Sequence, residues 1–285
     1  MKSRPRIAVF AKGEAAARVL ARKLLQELER RGADVLLDED TARLLGLPGG
    51  FPRRRIPPDR GIVLSLGGDG TLLSAARAVT DGAEILGVNL GTLGFLTGIS
   101  RREVRSLAGD VLAGRFDRDV RHFLEVTVTE GNVRPRRYRV LNDAVLNRGA
   151  LSRIARFTLR FDGKPFSSMR ADGLIIASPT GSTAYNLSAG GPLLHPHVPG
   201  FIVTPICPHA LTHRPIVLPA GKKLEVSFEA GTTEGIYLTL DGQEGFRLPS
   251  GASLRAGIAR RTVTLLRRPQ SDYFSTLSEK LSWGV

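Results

Sequence analysis

Residues 61–79 read GIVLSLGGDGTLLSAARAV. The apolar run from Ile62 to Leu66 predicts a buried strand, and the segment from Thr71 to Val79 predicts the start of a helix. Glycines at the junction, in the stretch Gly67-Gly68-Asp69-Gly70, allow positive φ angles and a close approach of the backbone to a ligand. Backbone N–H groups and a helix N-terminus supply partial positive charge there, so the stretch predicts a phosphate site.

Asp69 is an unusual residue for such a turn. A carboxylate beside bound phosphates is repelled unless it has a cation or a proton to accept, so Asp69 indicates Mg²⁺ binding or a general base. Alternatively, Asp69 and Thr71 only cap the helix that follows. The flanking glycines favour the ligand-binding interpretation, and both interpretations stay open at this point.

The sequence around this turn predicts a doubly wound, Rossmann-like α/β domain, because short apolar strands alternate with helical periodicity through the first 113 residues. Strands are expected at 6–10, 33–37, 61–66 and 85–89, and helices at 15–31, 71–79 and 101–112. Residues 48–60, rich in proline and arginine, predict an exposed irregular connection.

The pattern changes near residue 115, where alternating and β-branched segments begin. Strands are expected at 124–129, 138–141, 157–161, 173–177, 201–204, 223–228, 236–240 and 262–266, with helix only at 181–188. We therefore expect an α/β domain over 1–115 and a β-rich domain over 116–268. The tail, 269–285, is expected to form a short helix that returns to the first domain.

Composition excludes several classes of protein. The 285 residues are 42% hydrophobic and 24% charged, as in folded globular chains. No apolar run approaches the roughly 20 residues of a membrane span, and the N-terminal segment lacks a secretory apolar region, so a cytoplasmic protein without membrane attachment is expected. A single cysteine, Cys207, can form no intramolecular disulfide and cannot hold zinc alone.

The formal net charge of +14 favours attraction to polyanions, although a surplus of arginine also follows from genomic composition or heat adaptation. The basic residues are dispersed and no aromatic stacking platform accompanies them, which favours a small anion over nucleic acid. Other nucleotide enzymes and hydrolases are excluded by spacing: the chain has no G-x-x-x-x-G-K-[ST], G-x-G-x-x-G, H-R-D, D-F-G or H-E-x-x-H motif and no complete nucleophile elbow.

Two further segments carry polar side chains at predicted strand ends. Residues 172–192 read DGLIIASPTGSTAYNLSAGGP, a strand followed by hydroxyls, glycines and one aromatic residue, which suits a nucleoside pocket in which Tyr185 packs against a base. The pair Asn142-Asp143 suits the vicinal hydroxyls of a ribose, although on its own it equally predicts an ordinary turn.

The three segments together resemble the NAD kinase family, in which GGDGT, an Asn-Glu or Asn-Asp pair and a DG…PTGSTAY…SAGGP block occur in this order. Further similarity lies at 89–96 (NLGTLGFL), 208–215 (PHALTHRP) and 241–243 (DGQ), so the resemblance spans about residues 6 to 268. GGDGT alone is weakly specific, because lipid kinases and phosphofructokinases have related loops, whereas the TGSTAY block is typical of NAD kinases.

The resemblance implies an α/β domain, a β-rich domain and an active site between them. It also implies transfer of the γ-phosphoryl of ATP, or of inorganic polyphosphate, to the 2′-hydroxyl of the adenosine ribose of NAD, with Mg²⁺ or another divalent cation and with Asp69 as general base. A homodimer or homotetramer is expected. No residue of the sequence is assigned as a metal ligand.

Residue by residue, the resemblance places the ribose at Asn142 and Asp143. Further nucleotide contacts are expected from Gly68, Gly70, Arg153, Arg170, Asp172, Thr183, Ala184, Tyr185, Asn186, Ser188 and Gln243. Asp143 is one methylene shorter than the glutamate of many relatives, so its ribose contact is expected to run through water or a closer backbone.

Two other functions are compatible with parts of the pattern. A catalytically silent NAD(P)-sensing module would keep the pocket but would not need Asp69. A lipid kinase with the same loop would need an apolar membrane-facing surface, and no basic amphipathic helix is evident. ATP versus polyphosphate, NAD versus NADH, and feedback by NADP(H) are not readable from the sequence.

Overall fold

The computed structural model describes residues 5–54, 56, 61–79, 83–91, 94–148, 154–229, 235–249, 251–269 and 271–282. The chain divides into two units, Met1–Val120 with Thr262–Val285, and Arg121–Arg261. The chain passes between the units within two long strands. The first unit is α/β and the second is mostly β.

The α/β unit follows the predicted alternation. Its elements are β1 (Arg6–Ala11), α1 (Ala15–Arg30), β2 (Asp34–Leu37), α2 (Glu39–Leu45), β3 (Ile62–Gly67), α3 (Asp69–Ala78), β4 (Glu84–Asn89), β5 (Ile99–Ser100), a 3-10 turn (Arg101–Glu103) and α4 (Val104–Leu112). Strands β2, β1, β3 and β4 lie side by side and parallel. Strands β1, β3 and β4 are buried almost throughout, as expected of a parallel sheet covered on both faces.

Helix α1 shows why the sequence forms this layer. Its buried residues Ala17, Leu20, Ala21, Leu24 and Leu28 recur at three- and four-residue spacing, which places them on one face. Gly32, with a φ of +85°, follows the helix in the left-handed conformation that glycine adopts without strain. The predicted helix stop is therefore confirmed.

In the α/β unit, two short elements were not predicted. Helix α2 has only seven residues, too few for a visible period, and it ends at Gly46 with a φ of +71°. Strand β5 has two residues and pairs with the end of β4.

The second unit consists of two packed sheets. Its elements are β6 (Asp117–Thr129), β7 (Arg136–Val140), β8 (Asp143–Arg148), β9 (Ala155–Phe161), β10 (Lys164–Ala171), β11 (Gly173–Ala177), a 3-10 turn (Thr180–Thr183), α5 (Tyr185–Ser188), β12 (Gly200–Ile206), β13 (Ile216–Pro219), β14 (Leu224–Glu229), β15 (Ile236–Leu240), β16 (Glu244–Leu248) and β17 (Ser253–Arg267). One sheet is antiparallel in the order β13-β12-β11-β8-β15-β16. The other sheet contributes β10, β9, β14 and β17, together with β6 and β7. Inward side chains of both, including Phe157 and Phe201, share one core.

The tail forms helix α6 (Tyr273–Leu281), which begins at Asp272. The Asp272 carboxylate accepts hydrogen bonds from the N–H groups of Phe274 and Ser275, so this helix is capped by its own side chain. Among the described residues, no helix combines the length and the apolar composition that crossing a membrane requires.

Candidate active site

The order of the parallel strands locates a crevice in the α/β unit. The chain leaves β1 toward β2 on one side and leaves β3 toward β4 on the other, so the loops after β1 and β3 diverge at the carboxyl edge of the sheet. A cavity of about 610 Å³ lies there. It is lined by Ala11, Lys12, Gly13, Asp40, Arg43, Leu44, Arg53, Gly68, Gly70, Thr71 and Ser74.

The glycines of the turn act through packing and not through positive φ angles. None of Gly67, Gly68 and Gly70 has a positive φ, so that part of the expectation is wrong. A Cβ on Gly67 would lie 2.1 Å from Oγ1 of Thr71, whereas a Cβ on Gly68 would meet nothing within 4 Å. Gly67 therefore permits the sharp entry into α3, and Gly68 leaves open space in the cavity.

Three cations line this cavity: Lys12, Arg43 and Arg53. Nη1 of Arg53 donates to Oδ2 of Asp38 at 3.0 Å and to Oδ2 of Asp40 at 3.2 Å. Burial raises the pKa of Asp38, although its hydrogen bond with Thr41 and the charge of Arg53 oppose that rise. The arginine is thus held in a fixed direction at the rim, where a guanidinium suits phosphate oxygens.

Asp69 is the first residue of α3, and its carboxylate does not cap its own helix. Oδ2 accepts a hydrogen bond from the N–H of Phe95 at 2.8 Å. Oδ1 accepts from the N–H groups of Leu96 and Thr97, at 3.2 and 3.1 Å, and from Oγ1 of Thr97 at 3.1 Å. The capping alternative for Asp69 is therefore replaced by a link to the segment after β4.

Gly94 lies very close to the Asp69 carboxylate. A Cβ at Gly94 would lie 1.9 Å from Oδ1 of Asp69, so any side chain there would displace the carboxylate. The sequence NLGTLGFL was recognised as a similarity, but its contact with Asp69 was not predicted, because the partners are 26 to 28 residues apart.

A second cavity lies in the β-rich unit, at one edge of the six-stranded sheet. Asp143 pairs with Ala177 and Ala144 pairs with Leu240, so the start of β8 meets the ends of β11 and β15. The cavity measures about 300 Å³ and is lined by Asn142, Asp143, Val145, Asn147, Ala184, Tyr185, Thr239, Asp241 and Gly242. The segments 142–143 and 180–188, widely separated in sequence, are brought together here.

The backbone of the TGSTAY block packs directly on Asn142. The N–H of Ser178 donates to the carbonyl of Asn142 at 2.8 Å, and a Cβ on Gly181 would lie 2.2 Å from the same carbonyl oxygen. The side-chain Oδ1 of Asn142 is buried and accepts no hydrogen bond from any described residue. A buried acceptor without a partner is costly, and a hydroxyl or amide donor of a bound ligand would satisfy it.

Two carboxylates lie at this edge. Asp241, with a φ of +50°, accepts hydrogen bonds from the N–H groups of Leu141, Asn142 and Asp143. Burial, and secondly the charge of Asp241, raise the pKa of Asp143 to about 7. Asp143 is 4% exposed. The motif match at 241–243 was noted in the sequence, but Asp241 was not assigned as a site residue.

The remaining predicted residues are placed differently. Asp172 forms an ion pair with Arg148 at 2.7 Å, Arg170 is exposed on β10, and Gln243 is exposed in the turn after β15. Thr183 and Ser188 flank Ala184 and Tyr185 without lining the cavity. Arg153 lies outside the described residues.

Asn186 is fully buried, and its amide is occupied within the protein. Nδ2 donates to the carbonyls of Ser182 and Pro192, and Oδ1 accepts from Oγ1 of Thr204. This side chain holds the 182–192 segment in shape, and its expected nucleotide contact stays a prediction.

Comparison with known proteins shows to which family the chain belongs. A family model described as the ATP-NAD kinase N-terminal domain matches residues 7–116, and one described as the ATP-NAD kinase C-terminal domain matches residues 141–267. The chain belongs to the NAD kinase family.

Relatives match along almost the whole chain. The NAD kinase of Geobacter metallireducens is 43% identical over 282 residues, covering 98% of this chain and 99% of that one. The NAD kinase of Trichlorobacter lovleyi is 41% identical over 280 residues, covering 98% of each chain. The protein is therefore a phosphotransferase of the NAD kinase type, and the sensor and lipid-kinase alternatives are not favoured.

Solved structures show the same fold. A yeast NADH kinase complexed with NADH superposes with a TM-score of 0.89 at 23% identity, covering 100% of this chain and 89% of that chain. An NAD kinase from Archaeoglobus fulgidus in complex with ATP superposes with a TM-score of 0.73 at 24% identity, covering 97% and 98%. The predicted pairing of an α/β domain with a β-rich domain is confirmed.

The raised pKa of Asp143 predicts a specific pH dependence of stability. The folded pKa of about 7 lies above the ordinary value of 3.8, so as pH rises from about 4 to about 7 the unfolded chain releases this proton first and the folded state loses stability. We expect Asp143→Asn to gain unfolding free energy relative to wild type across that window, by up to about 4 kcal/mol.

Urea unfolding at pH 4.5, 6 and 8 measures this difference. Asp162→Asn serves as control, because Lys222 lowers the pKa of the exposed Asp162 carboxyl and it stays ionised throughout the window. A difference between Asp143→Asn and wild type that is flat from pH 4.5 to 8 would contradict the buried, protonated state of Asp143.

Proposed function

We propose that the protein transfers the γ-phosphoryl of ATP to the 2′-hydroxyl of the adenosine ribose of NAD, forming NADP and ADP, with Asp69 as general base. The observation that carries this proposal is the Asp69 carboxylate at the start of α3, between Gly68 and Gly70, which line the cavity. The hydroxyl oxygen forms the new bond to phosphorus, the bond from phosphorus to the bridging oxygen of ADP breaks, and the hydroxyl proton passes to Asp69.

The donor phosphates are proposed to occupy the cavity of the α/β unit. Lys12, Arg43 and Arg53 supply positive charge, and the N-terminus of α3 adds its dipole beside Gly68 and Gly70. These groups recognise a phosphate chain, and the lining residues that the structure describes include no aromatic side chain to stack on a base. Inorganic polyphosphate is therefore proposed as a second donor beside ATP.

The acceptor nucleoside is proposed to occupy the cavity of the β-rich unit. Asn142, whose buried Oδ1 has no partner among the described residues, and Asp143 line the same cavity as Tyr185, which is 45% exposed. A neutral Asp143 carboxyl can donate as well as accept a hydrogen bond, which suits a ribose hydroxyl. Ala184 lines the cavity next to Tyr185 in the chain. Gly68, Gly70, Arg170, Asp172, Thr183, Asn186, Ser188 and Gln243 are proposed as supporting contacts.

Mg²⁺ is proposed to reach the site bound to the donor. The described residues contain no group of three His, Cys, Asp or Glu side chains placed to hold an ion. Mg²⁺ is usually bound by phosphate oxygens and water. The cationic side chains and backbone amides that line the cavity would hold those phosphates, so the cavity suits an ion that arrives with the donor. The ion would neutralise phosphate charge during transfer.

On the family resemblance we also propose a homodimer or homotetramer in the cytoplasm. Light scattering on the purified protein measures the assembly directly.

The base role of Asp69 is tested by Asp69→Asn. We expect turnover to fall by at least about 10³-fold, because the amide cannot accept the hydroxyl proton, while the dissociation constant for NAD stays within a few-fold of wild type. NADP formation is followed through an NADP-specific dehydrogenase, and NAD binding by calorimetry.

The control is Asp34→Asn, which removes a carboxylate at the opposite, amino-terminal edge of the parallel sheet, where it pairs with Arg6. Turnover by Asp69→Asn at the wild-type rate, with the control also unchanged, would exclude Asp69 as the base.

The nucleoside role of Tyr185 is tested by Tyr185→Ala. Loss of stacking on a base is worth about 1–3 kcal/mol, so we expect the KM for NAD to rise about tenfold while the KM for ATP stays unchanged. Phe166→Ala is a matched control, because Phe166 is equally exposed, at 43%, on β10 of the other sheet. Equal changes in both KM values would remove Tyr185 from the acceptor site.

A further inference from the structure

Thr97 contacts Asp69 but has no part in the scheme above. The residue is 1% exposed. Its N–H and its Oγ1 both donate to Oδ1 of Asp69 at 3.1 Å. Its Oγ1 in turn accepts hydrogen bonds from Nδ2 of Asn89 at 3.0 Å and from the N–H of Gly94 at 3.2 Å.

These contacts fix the direction of the Thr97 hydroxyl. A hydroxyl has one hydrogen to donate and two lone pairs that accept. Asn89 and Gly94 occupy both lone pairs, so the hydrogen of Thr97 can only point to Oδ1 of Asp69. The Asn89 side chain is itself held, because its Oδ1 accepts from the N–H of Gly91 at 2.8 Å.

The contacts also make the two oxygens of Asp69 unequal. A carboxylate has about four acceptor directions, two on each oxygen. Oδ1 receives three donors, from Leu96 and Thr97, whereas among the described residues Oδ2 receives only the N–H of Phe95. One acceptor direction therefore remains, and it is on Oδ2.

Packing leaves the Thr97 side chain little alternative. A Cβ on Gly87 would lie 2.9 Å from Cγ2 of Thr97, and a Cβ on Gly94 would lie 2.6 Å from its Oγ1. Glycines on both sides thus make room for this one arrangement, in which Asp69, Thr97 and Asn89 form a buried chain of hydrogen bonds.

We propose that Asn89 and Thr97 are positioning residues, which hold Oδ1 of Asp69 so that Oδ2 alone takes the proton of the acceptor hydroxyl. The proposal rests on the base role of Asp69 proposed above. Neither residue needs to touch a substrate. Their effect is confined to the orientation of the carboxylate, and a misplacement of about 1 Å in such a group costs up to about 10²-fold in rate.

Thr97→Val tests this proposal, because valine has nearly the same shape and lacks the hydroxyl. We expect kcat to fall about 10- to 100-fold while the KM values for NAD and ATP stay within about threefold. Thr97→Ser, which keeps the hydroxyl, should recover most of the lost turnover. Asn89→Ala should lower kcat in the same direction but less, because it removes a partner of Thr97 and not of Asp69.

If Thr97 only stabilised the fold, Thr97→Val would reduce the number of chains able to bind NADP and would leave the turnover of each such chain unchanged. Calorimetric titration with NADP should give a stoichiometry near one per chain for Thr97→Val, so that the lower kcat belongs to folded enzyme. A kcat per competent site equal to wild type would overturn the proposal, as would a serine variant no better than the valine variant.

A double-mutant cycle separates this proposal from the base role on which it rests. If Thr97 acts through Asp69, adding Thr97→Val to Asp69→Asn lowers turnover no further. Multiplying losses would overturn the positioning role while leaving the base role intact. Full turnover by Asp69→Asn alone would instead show that the base assignment is wrong.

Discussion

Four hydrogen bonds to the Asp69 carboxylate connect the turn after β3 with the segment after β4. The two segments follow neighbouring parallel strands, whose carboxyl ends lie at one edge of the sheet. Without a side chain at Gly94 the segment can approach the carboxylate, and without one at Gly67 the chain can turn directly into α3. The glycines of the two motifs thus allow the Asp69 carboxylate to lie in a fixed direction, between two glycines that line the cavity of the α/β unit.

In the β-rich unit, too, a glycine and backbone N–H groups bring the segments of the site together at one edge of a sheet. Gly181 brings the TGSTAY segment onto the carbonyl of Asn142, and three N–H groups converge on Asp241. The consequence is a small cavity lined by Asn142, whose buried amide oxygen has no partner among the described residues, by a carboxyl whose pKa is raised to about 7, and by one half-exposed aromatic ring. Such a set suits a nucleoside, which presents hydroxyls and a flat base.

Sequence patterns predicted the parts of the fold that depend on local periodicity. The parallel strands are continuous apolar runs because both their faces are buried, and α1 shows its apolar stripe over four turns. Helix α2 was missed because two turns are too few to show a period. The fold class was therefore predictable, but several elements were not: α2, β5, β8, β10, β13 and β16.

The candidate site was predictable only where a motif carries the chemistry. Asp69, Asn142 and Tyr185 stand in recognisable stretches, and the last two line one cavity. The link from Thr97 to Asp69 joins residues 28 apart, and that from Arg53 to Asp38 joins residues 15 apart, so no local pattern reveals either. Asn186 shows that a motif residue need not face a ligand. Its buried amide bonds within the protein and holds the backbone of its own segment.

The most direct measurement of the central claim is product formation by the purified wild-type protein given NAD, Mg²⁺ and ATP, with polyphosphate in a parallel reaction. The product is identified with an NADP-specific dehydrogenase and its phosphate position by ³¹P NMR. We predict NADP with phosphate on the 2′-oxygen, one per ADP released. Measurable NAD binding without any NADP from either donor would contradict the account and leave the Asp69 carboxylate as a structural link.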